Sequence, residues 1–250
     1  MNGKELDGRV AIVTGAGRNI GRAIALELAA GGAAVVVNVR ANIGEAQSVA
    51  KEIEAQGGAA LPFAGDVTDA AAMAKMAAAG VTRFSRVDYL VNNAAMRGEK
   101  RIEDMTYAEW RQVLDVPLDG AFHCVKACLP FLKQSGAGAI VNIGGLSAHA
   151  GSQHRAHVVT AKSGLVGFTR ALAHDLAGHD VTVNCVAPGL IATARPDNFV
   201  EPQHHAINHT LSGRRGAPED VATVVRFLCG PGARYITGQT IHASGGAFIG

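Results

Sequence analysis

The chain has 250 residues, 48% of them hydrophobic, and a formal net charge of +2 from 23 basic and 21 acidic side chains. This length suits one well-packed domain and is short for two, so we predict a single domain over residues 1–250. The balanced charge, without a basic run, argues against nucleic acid or an anionic membrane as a partner. Small-molecule partners are favoured.

The sequence also bears on location and on metal binding. Residues 1–9 are polar, and no apolar run is long enough to cross a bilayer, so we expect a cytoplasmic protein. The four cysteines form no Cys-x-x-Cys pair, although Cys124 and Cys128 are one helical turn apart. Free cysteine is usually a small buried hydrophobic residue, so we expect structural cysteines and no metal.

Apolar runs typical of buried strands alternate with helical stretches along the chain. Predicted strands and helices alternate at 10–14, 20–30, 34–39, 45–56, 61–63 and 70–84. Further strands are predicted at 89–92, 139–143, 181–186 and near 240–242, and long helices at 118–133 and 158–177. Continuously hydrophobic strands between helices indicate a parallel sheet covered on both faces. The predicted fold class is therefore α/β, a doubly wound parallel sheet of the Rossmann type.

Short motifs follow these strands in a regular order. Residues 14–21, after the first strand, read Thr-Gly-Ala-Gly-Arg-Asn-Ile-Gly, and Asp66-Val67 follows the third strand. Asn92-Asn93-Ala94-Ala95 follows the fourth strand, and residues 188–193 and 235–246 complete the series. The ordered set resembles the motifs of the short-chain dehydrogenase/reductase family, whose Tyr-x-x-x-Lys helix would begin at position 158.

This resemblance implies an oxidoreductase that acts on a small-molecule carbonyl or alcohol with a nicotinamide cofactor. It also implies a homotetramer built on the helices predicted at 118–133 and 158–177. The cofactor contacts implied by the resemblance come from Gly15, Gly17, Arg18, Asn19, Ile20, Gly21, Arg40, Asp66, Val67, Asn93, Ala94, Lys162, Pro188, Gly189, Ile191 and Thr193.

The glycine loop departs from the family pattern at one position, where Asn19 replaces the middle glycine. Asparagine is the residue that, after glycine, best tolerates the left-handed region. We therefore expect the loop to keep its shape and cofactor binding to survive.

The end of the second strand indicates which nucleotide is preferred. A carboxylate at this point holds the ribose 2′-hydroxyl of NAD, whereas a cation suits the 2′-phosphate of NADP. Val39 stands where that acid is usually found, Arg40 follows it, and Arg18 lies on the facing loop. Strand-end arginines are often only solvated, and the loop arginine also occurs in NAD-using relatives. Charge complementarity nevertheless favours NADP(H) over NAD(H).

Most of the family's catalytic side chains are missing. In register with Lys162, the tyrosine position holds Val158, the serine position Gly145 and the asparagine position Pro117, the last within a predicted helical segment. General acid/base catalysis supplies on the order of 10² to 10⁴ in rate, so ordinary activity is expected to be weak or absent.

Three nearby side chains are candidate replacements for the lost donors. Ser147 follows the serine position by two residues, and His154 and His157 precede the tyrosine position. Histidine can relay a proton near neutral pH, but His157 should point away from the side of the helix that carries Val158. Solvated or capping roles compete with catalysis for all three.

Residues 195–211 are polar and histidine-rich. The resemblance implies a mobile lid over the substrate here, and a solvated surface helix is the competing interpretation. His205 and His209 have a spacing that suits a metal, but no third ligand accompanies them, so we expect none.

Three functions are compatible with the sequence: an NADP(H)-dependent oxidoreductase with a non-standard proton donor, a catalytically silent nucleotide-binding or regulatory partner, and a non-redox lyase that uses the histidines. The intact nucleotide motifs argue against the lyase.

Overall fold

The computed structural model describes residues 3–193 and 210–250. The sheet in these residues has seven strands, all parallel, in the order β3-β2-β1-β4-β5-β6-β7. The strands are β1 Val10–Val13, β2 Ala34–Val39, β3 Ala60–Ala64, β4 Tyr89–Asn92, β5 Gly138–Ile143, β6 Val181–Pro188 and β7 Thr240–Ala243. The predicted doubly wound α/β fold is confirmed.

Helices connect the strands and cover both faces of the sheet. They are α1 Asn19–Ala30, α2 Ile43–Ala55, α3 Ala70–Phe84, α4 Tyr107–Asp115, α5 Asp119–Gln134, α6 Ser147–Ala150, α7 Ala156–Asp175 and α8 Pro218–Cys229. Short 3₁₀ turns lie at Ile102–Asp104 and Pro231–Ala233. The predicted lid at 195–211 lies almost entirely outside the described residues, together with His205 and His209.

Two hydrophobic layers bury the faces of the sheet. On one face, α1, α2 and α8 pack through residues such as Ile24, Val49 and Val225. On the other face, α3, α5 and α7 pack through residues such as Met73 and Cys128. Burial on both faces explains why the strands read as continuous apolar runs in the sequence.

Pro117 lies in the turn between α4 and α5, not inside a helix as predicted. Proline has no backbone N–H and clashes with the preceding helical turn. It therefore separates α4, which ends at Asp115, from α5, which begins at Asp119. Val116, the residue before Pro117, is the one from this turn that faces the cavity described below.

The order of the strands positions the site. The chain moves outward from β1 through β2 to β3, and then returns to place β4 on the other side of β1. Open α/β sheets bind ligands at the carboxyl ends of the strands where the order reverses in this way. Among the described residues, no helix has the length and apolar character needed to cross a membrane.

Candidate active site

The glycine loop between β1 and α1 has the compact shape that a nucleotide loop requires. Gly15 has a φ of 61°, and a Cβ atom there would lie 3.0 Å from the Cα of Ala94. Asn19 has a φ of 49°. Asn19, which replaces the middle glycine of the family pattern, thus adopts the left-handed conformation that the sequence predicts for it. The loop keeps its shape without a glycine at that position.

Asn93 locks this loop to the end of β4. Its side-chain amide donates to the carbonyl oxygens of Thr14 and Gly15 at 2.9 and 3.0 Å. The Thr14 hydroxyl in turn accepts hydrogen bonds from the backbone N–H groups of Asn93 and Ala94, both at 3.0 Å. Asn93 therefore holds the loop in place, in addition to lining the cavity.

A cavity of about 1000 Å³ opens at the carboxyl ends of the strands. Every residue predicted to contact the cofactor lines it: Gly15, Gly17, Arg18, Asn19, Ile20, Gly21, Arg40, Asp66, Val67, Asn93, Ala94, Lys162, Pro188, Gly189, Ile191 and Thr193. This volume is within the range of small-molecule and cofactor sites. The lining matches a dinucleotide chemically, because the loop offers small residues beside a helix N-terminus that favours phosphate.

The end of β2 presents charges of both signs to the cavity. Arg18 and Arg40 are exposed and line it, whereas Val39 is buried. Glu45, in the first turn of α2, lines it as well, and a Cβ atom on Gly17 would lie 2.7 Å from its Oε2 atom. The sequence interpretation missed Glu45 because it lies six residues beyond the strand-end position that was read for an acid.

The three positions predicted to be catalytic, 145, 158 and 162, lie together at the other end of the cavity, here called its catalytic end. Val158, Gly145 and Lys162 all line it, and a Cβ atom on Gly145 would have Lys162 Cγ, at 4.0 Å, as its nearest contact beyond its chain neighbours. Valine and glycine offer no proton donor. The cavity wall at these two positions therefore offers no side-chain hydrogen-bond donor.

Lys162 keeps its charge in this setting. Its Nζ atom donates to the carbonyl oxygen of Ile143 at 2.6 Å. Burial, with a smaller contribution from the positive charges of Arg97 and Arg155, lowers the pKa of Lys162 to about 8. The amine is therefore still largely protonated at neutral pH.

The candidate replacement donors are placed differently from one another. Ser147 lines the cavity as the first residue of α6, whereas neither His154 nor His157 belongs to the lining in the described chain. His157 is 2% exposed and lies behind the wall, and its burial lowers its pKa. Its side chain is thus not part of the cavity wall that Val158 helps to form.

His149 belongs to a different cluster. Its ring packs against that of His242 at 4.5 Å and that of Phe248 at 5.4 Å. Burial lowers the pKa of both histidines, which favours their neutral forms. His149, His154 and His157 therefore do not converge on the cavity.

Three cavity residues that the sequence interpretation missed carry charge at the catalytic end. Arg97, on the loop after β4, and Arg155, just before α7, both line it, as does the acid Glu99. No motif contains these residues, because they lie on loops whose proximity depends on the fold. The signal available in the sequence was that Arg97 lies two residues beyond the motif at 92–95 and Arg155 three residues before position 158.

The four cysteines are buried and free. Within the described ranges, no group of three or more His, Cys, Asp or Glu side chains is placed to hold a metal ion. Cys124 donates to the sulfur of Met73 at 3.4 Å in the core.

The sheet order, the glycine loop and the cavity at the point where the strand order reverses define an α/β fold of the dinucleotide-binding type. Residues 15–247 match a protein-family model described as enoyl-(acyl carrier protein) reductase. The chain is 40% identical over 243 residues to a 3-oxoacyl-[acyl-carrier-protein] reductase of Synechocystis sp., covering 96% of this chain and 97% of that protein. It is 39% identical over 245 residues to the short-chain reductase protein NovJ of Streptomyces niveus, covering 95% and 93%.

A solved dehydrogenase/reductase from Sinorhizobium meliloti superposes with a TM-score of 0.91 at 33% identity, covering 98% of this chain and 97% of that one. The chain therefore belongs to the short-chain dehydrogenase/reductase family of oxidoreductases, as its motifs predict.

Proposed function

We propose that this family member binds NADP(H) in the cavity and is a carbonyl or alcohol oxidoreductase whose ordinary activity is weak or absent. The observation that carries the proposal is the contrast within one cavity: its nucleotide lining is intact, whereas Val158 and Gly145 stand beside Lys162 where the family has proton-donating groups. A cytoplasmic location and assembly as a homotetramer complete the proposal.

The preference for NADP(H) rests on Arg18 and Arg40. Both line the cavity from exposed positions at the end of β2 and on the facing loop, so both guanidinium groups can reach a solvent-facing phosphate. Glu45 opposes this preference, because a carboxylate can hold a ribose diol and repels a phosphate. Two cations against one acid favour the phosphorylated nucleotide.

Calorimetric titration with NADP⁺ and NAD⁺ tests the preference. Arg40→Ala should weaken NADP⁺ binding roughly tenfold or more and leave NAD⁺ binding nearly unchanged, since only NADP⁺ offers a charge-assisted bond to a 2′-phosphate. Arg83→Ala, on the exposed end of α3, is the matched control and should change neither. Equal losses for both nucleotides in Arg40→Ala would contradict the assignment.

The chemistry at the catalytic end follows from the residues present. A bound nicotinamide supplies the hydride, and hydride transfer itself needs only donor and acceptor in near-attack geometry. Lys162 can hold a ribose hydroxyl, because its ammonium group lies in the cavity wall and has donors beyond the one used by Ile143. The hydroxyl of Ser147 is the other donor among the predicted replacements in this wall.

The activity is tested by NADPH oxidation with simple ketones, aldehydes and a 3-oxoacyl thioester, the last chosen because a relative carries the name 3-oxoacyl-[acyl-carrier-protein] reductase. We expect NADPH to bind and to be oxidised negligibly. Robust reduction that Ser147→Ala abolishes would contradict the weak-activity proposal and identify Ser147 as the replacement donor.

A catalytically silent nucleotide-binding partner is the second candidate function, favoured by the apolar wall at Val158 and Gly145. It predicts nucleotide binding with no turnover on any carbonyl. The lyase hypothesis loses its support, because His149, His154 and His157 are not part of the cavity lining in the described chain.

A further inference from the structure

Three cations meet at the catalytic end of the cavity. Arg97 comes from the loop after β4, Arg155 is the residue before α7, and Lys162 lies two turns into that helix. The positive charges of both arginines act on the Lys162 ammonium group and contribute to lowering its pKa. All three residues line the same cavity, so their charges act on one region of its wall.

The two loops that carry the arginines are joined to each other. The backbone N–H of Lys100 donates to the carbonyl oxygen of His154 at 2.7 Å. A Cβ atom on Gly98 would lie 3.2 Å from Nε2 of the buried His157, so the loop after β4 packs closely on the start of α7. Arg97 and Arg155 are therefore held on the same side of the cavity by contacts that do not involve their side chains.

The charges of this region do not cancel. Glu99 is the acid among the cavity-lining residues of the loop after β4, and it shares the cavity with Arg97, Arg155 and Lys162. Counted over these four cavity-lining residues, the excess is two positive charges. A guanidinium group has five N–H donors, so an arginine that already has one interaction can still hold an anion.

The apolar positions beside these cations favour a charged ligand over a neutral one. A neutral ketone gains no hydroxyl donor from Val158 or Gly145, whereas a carboxylate gains charge-assisted bonds from guanidinium and ammonium groups. We infer that the catalytic end of the cavity binds a carboxylate, so that the ligand beside the nucleotide is a small organic acid that bears a carbonyl or hydroxyl group.

This inference rests on the proposed function, because it takes the remainder of the cavity to be the nucleotide site. A carboxylate in this position would also favour the charged form of Lys162 and offset the effect of its burial.

Acetoacetate and methyl acetoacetate form a matched pair of probes, since they share a ketone and differ in charge. Calorimetric titrations at constant ionic strength, with saturating NADP⁺ and without nucleotide, compare the wild type with Arg97→Gln, Arg155→Gln and the surface control Arg83→Gln. We expect acetoacetate to bind roughly tenfold or more tightly than its ester. Each cavity variant should remove most of that difference, and Arg83→Gln should preserve it.

Circular dichroism and the melting temperature establish that each variant is folded. If one of the two cavity variants does not fold, the other still tests the inference. Equal binding of acid and ester by the wild type, or an unchanged preference in both cavity variants, would overturn the inference while leaving NADP⁺ binding intact. Absence of NADP⁺ binding would instead refute the proposed function, and the titration without nucleotide would still decide the carboxylate site.

Discussion

Lys162 combines a charge with partial burial, and this couples its titration to the stability of the fold. Its pKa is about 8 in the folded chain, against about 10.4 for an unperturbed lysine, because burial disfavours the ammonium form. Between these two values the unfolded chain binds the extra proton, so the free energy of unfolding should rise with pH. The difference between these two pKa values corresponds to at most about 3 kcal/mol, and the partial exposure of Lys162 reduces it to about 1–2 kcal/mol.

Denaturant unfolding of the wild type and Lys162→Met from pH 7 to pH 10.5 measures this effect. The wild type should gain stability relative to the variant as the pH rises from about 8. The penalty of burying the charge is fully present below pH 8 and is relieved as the lysine loses its proton. Lys75→Met, exposed on α3, is the control and should follow the wild type. A stability difference between wild type and Lys162→Met that is independent of pH would contradict the low pKa.

At the scale of single elements, the apolar patterns were sufficient to predict β2 and β4 to the residue, and α3 as well. These elements are bounded by turn residues or by a cap: the Asp69 side chain accepts hydrogen bonds from Ala71 and Ala72 at the start of α3. α6 was not predicted because four residues are too few for a 3.6-residue period to show. Pro117 lies in a turn because it has no backbone N–H to donate within a helix. The sequence interpretation, which placed this segment in a helix, gave too little weight to that property.

The register of α7 supports a test of the lost catalytic groups. Positions 158 and 162 are four apart in this helix, so their side chains lie on one face, and both line the cavity. A Cβ atom on Gly145 would fit without a clash, because its nearest contact beyond its chain neighbours would be Lys162 Cγ at 4.0 Å. Val158→Tyr combined with Gly145→Ser should therefore restore a phenol beside Lys162 and a hydroxyl across from it.

We expect this double variant to raise NADPH oxidation on at least one simple carbonyl by roughly 10²-fold or more over the wild type, the typical contribution of one general acid. The double variant Val158→Phe with Gly145→Ser is the matched control, since it adds the same serine and the aromatic ring but no phenolic hydroxyl. Pro117→Asn is a third change to add if the response is small. An equal rate in the tyrosine and phenylalanine variants would show that the new phenol does not take part.

For the whole molecule, the sequence predicted the nucleotide half of the cavity better than the catalytic half. The nucleotide residues follow strands whose carboxyl ends meet at one edge, so strand order alone brings them together. Arg97 and Arg155 are instead brought together by a backbone hydrogen bond between two loops, from Lys100 to His154. Such a contact spans 54 positions of sequence and has no local pattern.

The proposed homotetramer would bury surfaces of α5 and α7, and α5 carries a large apolar side chain that the monomer leaves uncovered. Phe122 is 48% exposed and has the ammonium group of Lys126 over its ring at 5.6 Å.

Phe122→Asp should weaken assembly by roughly tenfold or more in dissociation constant, because the carboxylate would have to lose its hydration at the interface. Light scattering coupled to size-exclusion chromatography measures the mass of the wild type, of this variant and of Tyr235→Asp, a control at a fully exposed turn. A wild-type mass four times that of the chain, reduced only by Phe122→Asp, would support the tetramer and its proposed interface. A monomeric wild type, or an unaltered mass for Phe122→Asp, would show that α5 does not mediate assembly.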